Sequence, residues 1–421
     1  MTRTRREFLK SLVGTASFLS LAPTVPGFLC RAAAAADQQP AVRDTVLVVL
    51  QLSGGNDGLN TVVPYADDVY ARSRNTLRLT ESQVIKIDSY QGFHPELKEF
   101  QRLMQDGELT VVHGVGYPNS NRDHDVAMRE WHTARPDDPQ CPTGWIGRAV
   151  DQVAAHSGPC VPATFVGPIA QPFALNAAAS VIPSLQRAEQ LAGRSGLSSL
   201  PESAAVREAL TGPGGGGGKQ VPSRLADLLG SAAMEADRMS QRVENVLATA
   251  KVSGEYPSYT LAEQLQVVSQ LIRADLGVRI FYLEIGGGGI GGFDNHANQR
   301  DNHAALLREM SASIAAFVDD MRRSKLLPRV ALMTLSEFGR TVSENGRRGT
   351  DHGAAAPVVV AGGQLRGGLL GPHPSLTDLE QDALKFQVDY RSLLTTMLQS
   401  WLGFDPEPIL GTGHKPIDLF A

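Results

Sequence analysis

The chain reads as an α/β protein built on a large, mostly parallel sheet with helices on both faces. Two observations predict this. Short continuous apolar runs, each ending in turn-forming or polar residues, recur along the sequence, and stretches of helical periodicity lie between them. Runs that are apolar at every position suit strands covered on both faces. Their alternation with helices is the pattern of a layered sheet.

In order, the predicted strands are residues 45–52, 109–112, 163–166, 278–285, 330–335 and 357–361. The predicted helices are 94–105, 225–248, 261–276, 302–323 and 390–402. Residues 211–220, which carry a run of glycines, read as a surface loop inside an inserted helical region, 184–258. No internal repeat is present.

The first 36 residues have the layout of a twin-arginine signal. Arg5-Arg6 is followed by Phe8-Leu9 and Lys10, then an uncharged stretch to Cys30, then the small residues 32–36 before Asp37. Prolines and glycines interrupt the stretch, which is a poor fit to a stable span of about 20 residues. No later segment is long and apolar enough to cross a membrane. The expectation is therefore a chain exported folded by the twin-arginine translocase to the periplasm or beyond, with 37–421 as one α/β domain. The net charge of −5 gives no electrostatic case for binding nucleic acid or anionic lipid. Cys141 and Cys160 lie beyond the signal, and in an oxidising compartment they are either a disulfide or buried thiols.

In open α/β sheets, ligands bind at the carboxyl ends of the strands. Asn56-Asp57 follows the first apolar run, and Arg122-Asp123-His124-Asp125 comes after the second. Asp294 and His296 follow the run at 278–285, and Glu337 and Arg340 follow 330–335. Asp351-His352 stands just before 357–361. Each cluster has a plain structural reading. Asp57 suits a turn, and Asp123 and Asp125 suit the start of a helix, where the dipole favours acids. Asp294 and His296 suit a cap, and Asp351-His352-Gly353 a turn. Glu337 is harder to read that way, because a turn favours Asn, Asp or Gly. His113, His132, His303, His373 and His414 read as structural. Five polar clusters at five strand ends nevertheless point to one shared site. Its Asp, Glu and His side chains suit one or two divalent ions such as Zn²⁺, Mn²⁺, Mg²⁺ or Ca²⁺. A phosphate-binding loop is excluded at 213–220, where Pro213 and Gln220 stand at the positions it needs for Gly and Ser/Thr. No His-Glu-x-x-His or Gly-x-Ser-x-Gly motif occurs.

The chain resembles the exported family known as domain of unknown function 1501, within the alkaline phosphatase and sulfatase superfamily. The residues that carry the resemblance are Ser53-Gly-Gly-Asn-Asp-Gly-Leu-Asn60, Tyr117-Pro-Asn119 with Arg122, and Gly144-Trp-Ile-Gly-Arg148. Phe293-Asp-Asn-His296, Ser336-Glu-Phe-Gly-Arg-Thr341 and Gly349-Thr-Asp-His-Gly353 complete the set. The resemblance implies an alkaline phosphatase-like three-layer sandwich and, in active members, a two-metal site. Its metal ligands would be Asp57, Asp294, His296, Glu337 and His352, with Asp351 beside them. Arg122 or Arg340 would bind the anionic group of a small-molecule or glycan ester. Two departures stand out. Asp123 occupies the place of a Ser that resembles the superfamily nucleophile, so it is a carboxylate nucleophile, a further ligand, or a mark of lost hydrolysis. Phe338 stands where active phosphatases have the His of an Asp-His pair. The expected activity is metal-dependent hydrolysis of phosphate or sulfate esters. The alternative is a non-catalytic envelope binding or scaffold protein on the same fold.

Overall fold

The computed structural model describes residues 44–157, 162–185, 254–286 and 292–421. The signal segment, the helix expected at 225–248, the glycine run and Cys160 lie outside the described residues, as does nearly all of 184–258. Cys141 is buried and unbridged. Among the described residues, no helix is long and apolar enough to cross a membrane.

The large sheet contains β1 (Val46–Leu52), β2 (Leu109–Gly116), β3 (Ala163–Val166), β4 (Ser184–Leu185) and β5 (Ile280–Ile285). It also contains β6 (Val330–Leu335), β7 (Ala356–Gly362), β8 (Gly368–Leu370) and β9 (Val388–Asp389). Their order is β8-β2-β7-β6-β1-β5-β3-β4, with β9 also paired to β2. The pairings are parallel except those of β7, which runs antiparallel to β2 and β6. The run at 357–361 is therefore the reversed member of the mostly parallel sheet. Its continuous apolar character records burial on both faces and carries no information about direction.

Seven helices position the site and cover the sheet. They are α1 (Asp68–Ser73), α2 (Lys98–Gln105), α3 (His124–Thr133), α4 (Trp145–Ser157), α5 (Thr260–Ala274), α6 (Gln299–Arg323) and α7 (Tyr390–Thr395). All of β1 is buried, and its alternate side chains serve opposite faces. Val46, Val48, Leu50 and Leu52 pack in one core with Phe100 of α2, Val268 of α5 and Phe317 of α6. Leu47 and Val49 pack in the other with Trp131 of α3, Trp145 of α4 and Leu393 of α7. Helix, sheet and helix thus form three layers.

Two helix starts differ from the apolar pattern. α2 begins at Lys98 and not at residue 94, because His94 precedes Pro95 and a pre-proline residue disfavours helical backbone. α6 begins earlier than expected, at Gln299, because its first turn is polar and leaves no mark on the periodicity. The Gly144–Arg148 motif serves packing. A Cβ on Gly144 would stand 2.1 Å from the Ala174 carbonyl oxygen, and Arg148 donates to the carbonyls of Ile409 (2.7 Å) and Thr143 (2.8 Å).

Several histidines read as structural are buried in this frame. His132 Nε2 lies 2.8 Å from Gln51 Oε1, and His303 Nε2 lies 3.0 Å from Asn56 Oδ1. Burial lowers both to about 3 and lowers His94 to about 4. The unfolded chain therefore takes up protons below about 6.5 that the folded chain refuses. Their contribution is complete above that value and declines as pH falls toward 3. With chelator present, denaturant titrations at pH 7, 6 and 5 are expected to show falling stability. The decline approaches about 1.4 kcal/mol per pH unit for each such histidine. A flat profile would contradict this burial.

Candidate functional site

The site lies along the edge of the sheet where β1, β2, β5 and β6 end. Because β7 runs the other way, the residues before it reach that same edge: Ala356 pairs with Val115, near the end of β2. The short hairpin Arg340–Glu344 with Thr350–His352 hangs from this edge and pairs Arg340 with His352.

The turn after β1 packs too tightly for side chains. Gly54 and Gly55 have φ of +111° and +78°. A Cβ on Gly54 would stand 2.4 Å from the Asp294 backbone nitrogen, and one on Gly55 would strike the Phe338 ring. Gly54 N–H donates to Glu337 Oε1 (2.7 Å), and Asn56 N–H donates to Ser336 Oγ (2.9 Å). The loops after β1 and β6 are thereby tied together.

Three imidazoles converge on this frame. His124 Nδ1 donates to Glu337 Oε1 (2.9 Å), His296 Nδ1 to Asp351 Oδ1 (3.1 Å), and His352 Nδ1 to the Arg122 carbonyl (2.6 Å). An acceptor at every Nδ1 assigns the hydrogen there and leaves each Nε2 with its lone pair outward. All three Nε2 atoms face Asp294 Oδ1, at 3.4 Å from His124, 3.0 Å from His296 and 3.4 Å from His352. His296 and His352 bring their Nε2 atoms to 2.8 Å of each other. Phe338 stacks on His352 and lies against His124, walling both rings.

This donor set fits a divalent cation. Ligand atoms of His124, Asp294 and His352 lie mutually within 4.8 Å, and His296 shares close contacts with two of them. The His124 Nε2 atom is buried with no hydrogen-bond partner among the described residues, and two facing lone pairs at 2.8 Å repel unless a positive charge is shared by them. An imidazole anchored through its other nitrogen is the usual form of a metal-binding histidine.

Charges support the arrangement. Burial works to raise Asp294, but the Arg340 hydrogen bond and charge, with the imidazoles, hold it below the ordinary carboxylate range. The hydrogen bond to Glu337 raises His124 against the effect of burial. Burial lowers His352, and Arg340 and the neighbouring imidazoles add to that. The Asn345 amide and His296 hold Asp351 low.

Of the residues expected from sequence, Asp294, His296 and His352 come together. Glu337 and Asp351 stand one shell out, orienting His124 and His296. Asp57 is not brought to the cluster: its buried carboxylate is engaged by both terminal nitrogens of Arg74 and by Gln299. Asp123 caps α3, accepting from the backbone N–H groups of Asp125 and Val126 (both 3.1 Å), and its side chain is exposed. The Arg122 guanidinium donates to the carbonyls of Glu380 (2.6 Å) and Gln381 (3.0 Å). The buried Arg340 donates to Gly55 O (2.7 Å), Thr350 O (3.0 Å) and Asp294 Oδ1 (2.7 Å). Both arginines hold loops in place. His124 was named in the polar cluster after the second apolar run but not selected as a ligand, because its neighbours read as a helix start.

Glu337 acts through His124. Glu337→Gln is expected to keep the fold and weaken zinc affinity about 10–100-fold, the usual effect of removing such a support. Competition with a chromogenic chelator measures it, and unchanged affinity would argue against the His124 assignment.

Residues 44–417 match the model of the family described as Protein of unknown function (DUF1501). No curated protein matches the chain. Among solved structures, the chain is similar to the C-terminal periplasmic domain of EcEptC from Escherichia coli in complex with Zn (TM-score 0.34, 9% identity, 76% of this chain and 73% of that one). It is also similar to a protein of the alkaline phosphatase superfamily from Vibrio parahaemolyticus (TM-score 0.34, 12%, 91% and 77%). A third is alkaline phosphatase from the Antarctic bacterium TAB5 (TM-score 0.34, 11%, 79% and 95%).

Proposed function

The chain belongs to the DUF1501 family, and from that premise we propose that it is an exported, metal-dependent hydrolase of phosphate or sulfate esters. The observation that carries the reading is the convergence of three anchored imidazoles on Asp294. His124, Asp294, His296 and His352 would hold a divalent ion. When bound, that ion supplies Lewis acidity toward an ester oxygen and toward water.

The chain's own residues do the positioning. Arg340 fixes Asp294 from below, Glu337 and Asp351 keep the Nδ1 protons of His124 and His296 in place, and Phe338 excludes water from one side of the rings. Asp123 is committed to capping α3, so attack by water fits this residue set better than a carboxylate nucleophile. A twin-arginine signal, as expected for the first 36 residues, would put this work outside the cytoplasm, on an ester of a small anionic molecule or glycan.

The commitment of Arg122 and Arg340 to carbonyl oxygens favours a second reading, a metal-stabilised binding protein of the envelope. Protein loaded with zinc or manganese and assayed on 4-nitrophenyl phosphate, 4-nitrophenyl sulfate and their bis-esters separates the two. Hydrolysis is expected, lost on chelation and in His352→Ala. Fully loaded, well-folded protein that turns over none of them would sink the hydrolase reading in favour of binding.

A further inference from the structure

A cavity of about 250 Å³ opens beside the ends of β3 and β5, between those strands and helices α5 and α6. Its walls include the apolar side chains of Phe165, Ile169 and Leu306, and its polar side chains include Gln264, Glu284 and Glu309. Among its described lining residues there is no Lys, Arg or His. Gln264 is 8% exposed, and its Oε1 is buried with no hydrogen-bond partner among the described residues. Glu309 accepts the Leu261 backbone N–H (3.1 Å). Glu284 accepts from Ser53 Oγ (2.6 Å).

An unpaired amide oxygen and two carboxylates, with no cation among the described lining residues, form an acceptor-rich pocket of net negative charge. The buried Gln264 oxygen is costly to leave without a donor, and the two half-buried carboxylates favour a donor that carries positive charge. Apolar walls on the same cavity suit a group that carries carbon as well as charge, and a hard metal ion gains nothing from them. We propose that this cavity is a binding site for an organic ammonium group. The ammonium donates toward Gln264 Oε1 and the two carboxylates while its alkyl part lies on Phe165, Ile169 and Leu306. Burial already pushes the Glu284 carboxyl above its ordinary value, and the charge of Glu337 adds to this against the Ser53 hydroxyl, so a bound cation relieves an existing electrostatic penalty.

The pocket and the imidazole cluster share a single turn. Ser53 reaches Glu284 on the cavity side, and the next residue's N–H reaches Glu337 on the cluster side. The inference does not depend on the neighbouring site being hydrolytic.

Saturation-transfer difference NMR on the full chain, with n-butylammonium chloride and n-butanol at matched ionic strength, tests it. Transfer is expected from the ammonium and not from the alcohol. Glu284→Gln and Gln264→Leu are each expected to weaken binding about tenfold, with thermal melts showing that the fold persists. Glu309→Gln carries the same test if Glu284→Gln does not fold. Equal transfer from butanol, or ammonium binding unchanged in the folded variants, overturns the proposal. Displacement of the ammonium by equimolar calcium chloride also overturns it and assigns the pocket to an inorganic cation.

Discussion

Replacing His352 or His124 with alanine is expected to leave the chain folded but without bound metal, with zinc affinity reduced more than about a hundredfold. The argument rests on how few alternatives each ring has. His352 is fixed by the Arg122 carbonyl behind it and by Phe338 across its face. His124 is fixed by Glu337 and has a buried Nε2 with no other partner. Removing either ring takes away one lone pair of the convergent set and leaves the sheet intact. Elemental analysis of zinc-loaded wild type is expected to find close to one ion per chain, because a second carboxylate group of the kind implied by Asp57 is not at the cluster. Full occupancy in folded His124→Ala and His352→Ala proteins would refute the site. Two ions in the wild type would refute its single-ion form.

The second large effect concerns Asp57, and it is an effect on stability. Arg74 is fully buried, and both of its terminal nitrogens bind the Asp57 carboxylate. Arg74 also donates to the carbonyls of Val342 (2.9 Å) and Thr341 (2.8 Å), pinning α1 under the Arg340–Glu344 strand. Burial disfavours the charge on both partners, but each holds the other ionised: Asp57 is lowered and Arg74 raised. Asp57→Ala leaves a guanidinium uncompensated in the interior, at a cost of about 3–5 kcal/mol. Asp57→Leu combined with Arg74→Met is expected to recover much of that, since replacing a whole buried pair by apolar groups is often close to neutral. Urea titrations with chelator present measure both. Metal lost from an Asp57→Ala protein of undiminished stability would instead make Asp57 a ligand.

Much of the architecture was legible in the sequence, because strands covered on both faces leave uninterrupted apolar runs: 330–335 and 163–166 match their strands residue for residue. Direction was not legible, since β7 is as apolar as its parallel neighbours. At the site, strand-end position pointed to the edge where Asp294, His296 and His352 stand together. It did not separate these three from Glu337 and Asp351, which carry the same functional groups and differ only in what they touch. The pairing of Asp57 was hidden for a related reason. The arginine that engages it, Arg74, follows directly on α1, and the sequence around it gives no sign of where the side chain ends. His124 was hidden by its neighbours, two acids that announce a helix start and draw attention from the imidazole between them.

The reversed strand also sets an order of events. His124, Asp294, His296 and His352 come from three distant stretches of chain, and His352 is delivered only by a segment that enters β7 from the ligand edge. A nascent or misregistered chain can form every local helix and still lack the full set of donors. Capture of an ion at this cluster would then be a late event that stabilises only the completed topology. Metal content would thus become a proofreading mark that distinguishes finished molecules from near misses.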